Sequence, residues 1–178
     1  MERKKQVLFS KEEIAETVKR MGQQISDSYG NEPIVAISLL RGSFVFAADL
    51  VREIKTPTNV DFMTTSSYGD SEETSGRVDI VHDIRTDVED MHVLIIDDIC
   101  DSGHTLKAIK EHILKKNPKS VKTAVFLDKP DRRRVEIYPE FKGEVIDDLF
   151  VVGYGLNYGN YYRNCPYIFA FVNPEDDE

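Results

Sequence analysis

The stretch that most constrains this chain is Val93-Leu94-Ile95-Ile96-Asp97-Asp98-Ile99-Cys100-Asp101-Ser102-Gly103-His104-Thr105-Leu106. Four consecutive apolar residues specify a strand buried on both faces, two carboxylates follow where that strand leaves the core, and a small polar turn then opens a helix. Strands of this kind belong to parallel sheets covered by helices, and such sheets bind ligands beyond the carboxyl ends of their strands. The free N–H groups and positive dipole end of the following helix attract an anion. Asp97 and Asp98 are therefore placed to face sugar hydroxyls or a metal. Asp101, Ser102, Gly103, His104 and Thr105 are placed to wrap a phosphate, with His104 offering its backbone alone.

The rest of the chain supplies the other layers of such a sheet. Ser10-Lys11-Glu12-Glu13 has the form of a capping box, and Ile14, Val18, Met21 and Ile25 follow at helical spacing to about Tyr29. Pro33 to Ser38 reads as a buried strand. It ends in Leu40-Arg41-Gly42-Ser43 and passes to a helix carrying Phe44, Ala47, Ala48 and Val51 on one face. Thr58 to Ser67 reads as a strand leading into the polar loop 66–76, from which Arg77 to Ile84 returns. After Leu106, Ile109 and Ile113 give a helix its inner face until Asn117-Pro118. Val121 to Leu127 is the next strand, followed by Asp128-Lys129-Pro130 and a basic run, Arg132-Arg133-Arg134, read as solvated or as a subunit contact. Short strands near Leu149 to Val152 and Tyr167 to Val172 bracket a segment rich in glycine and tyrosine. Strands alternating with helices predict an α/β fold: an open, mainly parallel twisted sheet flanked by helices, with a mobile β flap and a small hood from the chain ends.

At 178 residues the chain is the size of one domain with a substantial core, so residues 1–178 are expected to act as one unit. No apolar run approaches the length of a membrane span and nothing marks the N-terminus for export, so a cytoplasmic protein with no membrane partner is expected. Cys100 and Cys165 lie far apart and fit free thiols in a reducing compartment, Cys100 buried beside the site and inert. A net charge of −9 argues against nucleic acid as a partner. An anionic substrate must then meet a local positive pocket.

A strand ending in two aspartates, taken alone, also suits a receiver-domain phosphoacceptor site or a Walker-B-like metal site. No Walker A run and no Gly-x-Gly-x-x-Gly turn is present, which leaves P-loop and dinucleotide readings without their phosphate-binding element. The continuation instead resembles the phosphoribosyl-pyrophosphate motif of type I phosphoribosyltransferases: an apolar strand, two acidic residues, two variable residues and a small loop with glycine and threonine. Asp101 within that loop is similar to the hypoxanthine-guanine branch. The likeness extends from about Ile34 to Tyr167.

The resemblance implies purine salvage: transfer of a phosphoribosyl group from phosphoribosyl pyrophosphate to hypoxanthine or guanine, a 6-oxopurine. It implies that Asp97 and Asp98 hold the ribose and that Ser102, Gly103, His104 and Thr105, with Asp101, hold the 5′-phosphate. Asp101 would also take the purine's proton as the catalytic residue. Leu40, Arg41 and Gly42 match the family's pyrophosphate loop, with a cis Leu40–Arg41 peptide expected, and Arg163 matches a pyrophosphate-binding arginine. Ser67 and Tyr68 match the start of a flap at about 66–78. Lys129 falls where the family reads the purine O6, and Phe150 and Val151 fall where it stacks the base. The hood would comprise the N-terminal residues and about 140–178.

The cofactor implied is Mg2+, held by Asp97 and Asp98 indirectly or through the ribose. Two positions depart from the family pattern. Asp97 stands where many relatives have glutamate, and Asn157 where the family has an aspartate that helps hold magnesium; an amide is a weaker ligand for a hard cation. Relatives are commonly homodimers or homotetramers. An alternative of a different class is a regulator of the same fold that senses phosphoribosyl pyrophosphate and binds nucleic acid.

Overall fold

Apolar runs too long to be half-exposed become the inner strands of a six-stranded sheet, and the helices between them cover its two faces. The computed structural model describes residues 4–67 and 77–172. In chain order the elements are β1 (Lys4–Phe9), α1 (Lys11–Tyr29), β2 (Ile34–Leu40), α2 (Phe44–Glu53), β3 (Thr58–Ser67) and β4 (Val78–His82), then β5 (His92–Cys100), α3 (His104–Leu114), β6 (Ser120–Asp128), β7 (Phe141–Val145), β8 (Val151–Val152) and β9 (Ile168–Val172). A 3-10 turn spans Pro130–Arg132.

The main sheet has the order β4-β3-β2-β5-β6-β7. All neighbouring pairs are parallel except β3 with β4 at the edge. From β2 the chain moves outward to β3 and β4, then returns to β5 and continues through β6 and β7 on the other side. The strand order therefore reverses between β2 and β5, and the crevice beyond their carboxyl ends is the place such a sheet offers a ligand. Alternate residues of β5 enter opposite cores: Leu94 and Ile96 pack with Met21, Ile25, Phe46 and Leu50 of α1 and α2, whereas Val93 and Ile95 pack with Leu106, Ile109 and Ile113 of α3. A separate antiparallel sheet, β1-β9-β8, forms a hood from the two chain ends.

The capping box forms as the sequence predicts. Glu13 N–H donates to Ser10 Oγ at 3.1 Å and Ser10 N–H to Glu13 Oε2 at 2.7 Å. Two expectations change at the C-terminal end. Phe141–Val145, expected in the hood, is a parallel edge strand of the main sheet paired with β6; of its five residues only Phe141 is buried, so no apolar pattern announces it. The strand expected from Leu149 shrinks to Val151–Val152, leaving Leu149 and Phe150 exposed. Among the described residues no helix is long and apolar enough to cross a membrane.

Because the Ser10 side chain satisfies an amide that helix geometry leaves without a partner, Ser10→Ala should cost about 1 kcal/mol. Urea unfolding at neutral pH reads this directly, and an unchanged midpoint would show that the cap contributes nothing to the folded state.

Candidate active site

Two strand ends at the reversal point bring the first groups together. β5 delivers Asp97 and Asp98, and β2 delivers the turn Leu40–Ser43, whose Leu40–Arg41 peptide is cis as the resemblance implied. Buried Ser43 fixes that turn: its hydroxyl donates to Leu39 O at 2.6 Å and lies 2.7 Å from Ser38 Oγ. A Cβ on Gly42 would stand 2.1 Å from Asp98 Oδ2, so a larger residue there would displace that carboxylate.

The phosphate-sized turn forms a cavity of about 220 Å³ lined by Asp97 to Gly103, Thr105 and Leu106. Gly103 carries φ +89° as the residue capping α3, and a Cβ there would come within 2.5 Å of Ile137 Cγ2. Cys100 is buried against this cavity, and burial pushes its thiol up to about 11, in keeping with the inert role expected.

Lys129 follows β6 and is 6% exposed, an unusual burial for an ammonium. Its Nζ lies 3.9 Å from Asp101 Oδ2 and 3.9 Å from Asp148 Oδ1. Arg132 spans the same two carboxylates, with Nε 3.0 Å from Asp101 Oδ1 and Nη1 3.3 Å from Asp148 Oδ2. The expectation of a solvated or subunit-contact run at Arg132–Arg134 is corrected at Arg133, whose side chain is almost wholly buried against Asp128; Arg132 and Arg134 are exposed, Arg132 while paired with the two carboxylates. Buried Asp128 calls for a cation beside it, and a guanidinium can meet that demand while using its other donors on carbonyls.

The hood supplies the remaining wall. Val151 is buried, whereas Phe150 is 62% exposed, its ring 5.9 Å from that of Tyr158. Arg163 Nη1 donates to Gly155 O at 2.6 Å, and Asn157 Nδ2 donates to Gly159 O at 2.6 Å. Ser67 pairs with Val78 at the end of β3, and Tyr68 lies outside the described residues. Sequence reading missed Asp148 and the inward-facing Arg133. Asp148 sits in a polar turn without periodicity, and its pairing spans a distance along the chain that no local pattern encodes.

The electrostatics concentrate on the acidic pair. Burial holds the Asp97 carboxyl well above the usual carboxylate range, and the adjacent Asp98 adds to that shift. Burial raises Asp98 as well, while the Arg163 charge partly offsets it. Each carboxylate also accepts a local backbone N–H, from Asp98 at 2.9 Å and Ile99 at 2.8 Å. Two half-buried carboxyls side by side repel when both are ionised, and a hard cation, hydroxyl donors or a proton relieves that repulsion.

A carboxyl whose folded-state pKa is raised binds more protons folded than unfolded, so it lowers stability progressively as pH climbs above the unfolded value. Asp97→Asn should therefore raise the Tm of the ligand-free protein at pH 7, by about 2–4 °C for each kcal/mol relieved, with little gain near pH 4. Calorimetry at the two pH values checks this, and an equal shift at both would refute the electrostatic origin.

Residues 7–159 match the family described as the phosphoribosyl transferase domain. The hypoxanthine-guanine phosphoribosyltransferase of Aquifex aeolicus is 45% identical over 168 residues, covering 94% of each chain. That of Staphylococcus aureus is 42% identical over 171 residues, covering 96% of this chain and 95% of its own. The crystal structure of a Bacillus anthracis hypoxanthine-guanine phosphoribosyltransferase superposes with a TM-score of 0.91 at 43% identity, over 96% of this chain and 100% of the other. With the reversed strand order, the acidic pair and the phosphate-sized turn in place, these likenesses make the chain a member of the phosphoribosyltransferase family, on its hypoxanthine-guanine branch.

Proposed function

We propose that this enzyme transfers the phosphoribosyl group of 5-phosphoribosyl 1-pyrophosphate to hypoxanthine or guanine, giving IMP or GMP and pyrophosphate in purine salvage. The observation that carries this reading is the buried ammonium of Lys129, held beside Asp101 and Asp148 next to the phosphate-sized cavity. An ammonium only donates, so it favours the 6-oxo group of hypoxanthine or guanine over the 6-amino group of adenine. A regulator of the same fold finds no support among the relatives named above, and the net charge of −9 disfavours nucleic acid.

In this reading the ribose hydroxyls meet Asp97 and Asp98, and the 5′-phosphate meets Ser102 to Thr105. The pyrophosphate meets the Leu40–Gly42 turn and Arg163, and the base rests on Val151 and Phe150. A purine nitrogen forms a bond to the anomeric carbon as the carbon–oxygen bond to pyrophosphate breaks, through an oxocarbenium-like transition state. The proton leaving that nitrogen passes to Asp101. Arg132 occupies Oδ1 of that carboxylate at 3.0 Å, while among the described residues Oδ2 has only Lys129 at 3.9 Å, beyond hydrogen-bond reach, so Oδ2 is the oxygen left to accept it.

Mg2+ would be held by the hard carboxylate oxygens of Asp97 and Asp98 indirectly or through the ribose, and when bound would supply charge neutralisation to the departing pyrophosphate. Ser67 and Tyr68 would close over the leaving group and exclude water. The single unit 1–178 would work as a homodimer or homotetramer in the cytoplasm.

Purified protein with magnesium and each base in turn should form nucleotide from hypoxanthine or guanine; none from either base would end this reading. Asp101→Asn should lower kcat by about 100-fold or more with a much smaller change in KM for the donor, and an unaltered kcat removes it from the chemistry. Asn157→Asp should lower the magnesium concentration needed for half-maximal rate, and a superimposable titration would show that position 157 is no ligand.

A further inference from the structure

The phosphate-binding turn is tied down from behind by one short segment, 129–134. Three successive carbonyls of the turn accept from it. Cys100 O takes the Lys129 amide at 2.9 Å and Arg133 Nη1 at 3.2 Å; Asp101 O takes Arg133 Nη1 at 2.7 Å; Ser102 O takes the Arg134 amide at 2.9 Å. The same guanidinium donates from Nε to Ile137 O at 3.0 Å and pairs through Nη2 with Asp128. Four of its five N–H donors are thereby used, and its side chain is 9% exposed.

A trans peptide is planar, with its C=O and N–H pointing opposite ways. Drawing the carbonyls of Cys100, Asp101 and Ser102 toward 129–134 turns the amides of Asp101, Ser102 and Gly103 away from that segment. Among the described residues none of these three amides donates to a protein acceptor. The segment that sets these peptide planes also carries Lys129, so the base-reading cation and the phosphate-reading amides share one anchor.

We propose that Arg133 is a positioning residue for the 5′-phosphate: its buried guanidinium, forked onto the carbonyls of Cys100 and Asp101, holds the peptide planes that present the loop amides to the phosphate. The inference rests on the assignment of Ser102–Thr105 to that phosphate. Arg133 touches no substrate and acts through the loop. Lysine keeps the charge opposite Asp128 but cannot fork onto two carbonyls while also reaching Ile137 O.

The test compares wild type with Arg133→Lys and Arg133→Met by calorimetric titration with IMP and, separately, with magnesium pyrophosphate, alongside KM for hypoxanthine. Both variants should bind IMP about ten- to hundredfold more weakly, while pyrophosphate affinity and the hypoxanthine KM stay within about threefold. Parallel losses for IMP and pyrophosphate would mean that Arg133 merely supports the fold, and unchanged IMP affinity would mean that the loop holds its shape alone; either overturns the proposal. Should the Met variant fail to fold, the Lys variant decides. A wild-type protein that does not bind IMP refutes the functional reading itself, which separates that failure from the failure of Arg133 alone.

Discussion

Burial of β5 on both faces is the constraint from which the rest follows. Val93 and Ile95 are claimed by one core and Leu94 and Ile96 by the other, so the strand can neither slip nor rotate without exposing half of its apolar residues. That fixed register decides where the strand runs out of core. The residues it then delivers, Asp97 and Asp98, stand at the carboxyl edge of the sheet beside the end of β2. Half-buried side by side, they are costly to ionise together, and paired carboxyls of that kind in a cleft mark a candidate functional site.

The site is assembled from turns that each lean on another. The Leu40–Ser43 turn closes against Asp98 through the bare Cα of Gly42, and the 101–103 turn closes against Arg133 and Ile137 through the bare Cα of Gly103. Rigid strands bring the groups near one another, and these side-chain-free approaches complete the fit. Charge is then distributed unevenly. The acidic pair lacks a full complement of cations, whereas Asp101 and Asp148 are met by Lys129 and Arg132. One half of the site is therefore electrostatically closed, and the other stays open to whatever the substrate brings.

Much of this was legible residue by residue. Apolar runs gave the parallel strands, Ser10 and Glu13 gave the start of α1, and the order carboxylate, carboxylate, small polar turn located the phosphate-sized cavity. β7 was illegible because an edge strand buried only at Phe141 has no periodic signature. Arg133 was misread for a related reason: three consecutive arginines resemble a solvated run, and only the buried Asp128 five residues earlier, together with the carbonyls of a turn about thirty residues away, shows that one of them faces inward.

The sequence by itself determined the local chemistry of this protein: which strand is buried, where carboxylates interrupt it, and which small residues allow a backbone to approach a phosphate. These follow from patterns that span a few residues and from side-chain properties that do not depend on the partner. Tertiary structure alone decided the pairings between distant segments. It set Lys129 and Arg132 between Asp101 and Asp148, placed Gly42 against Asp98, and turned Arg133 onto the carbonyls of Cys100 and Asp101. Those contacts exist because parallel strands align their carboxyl ends, so residues far apart along the chain meet at one edge of the sheet.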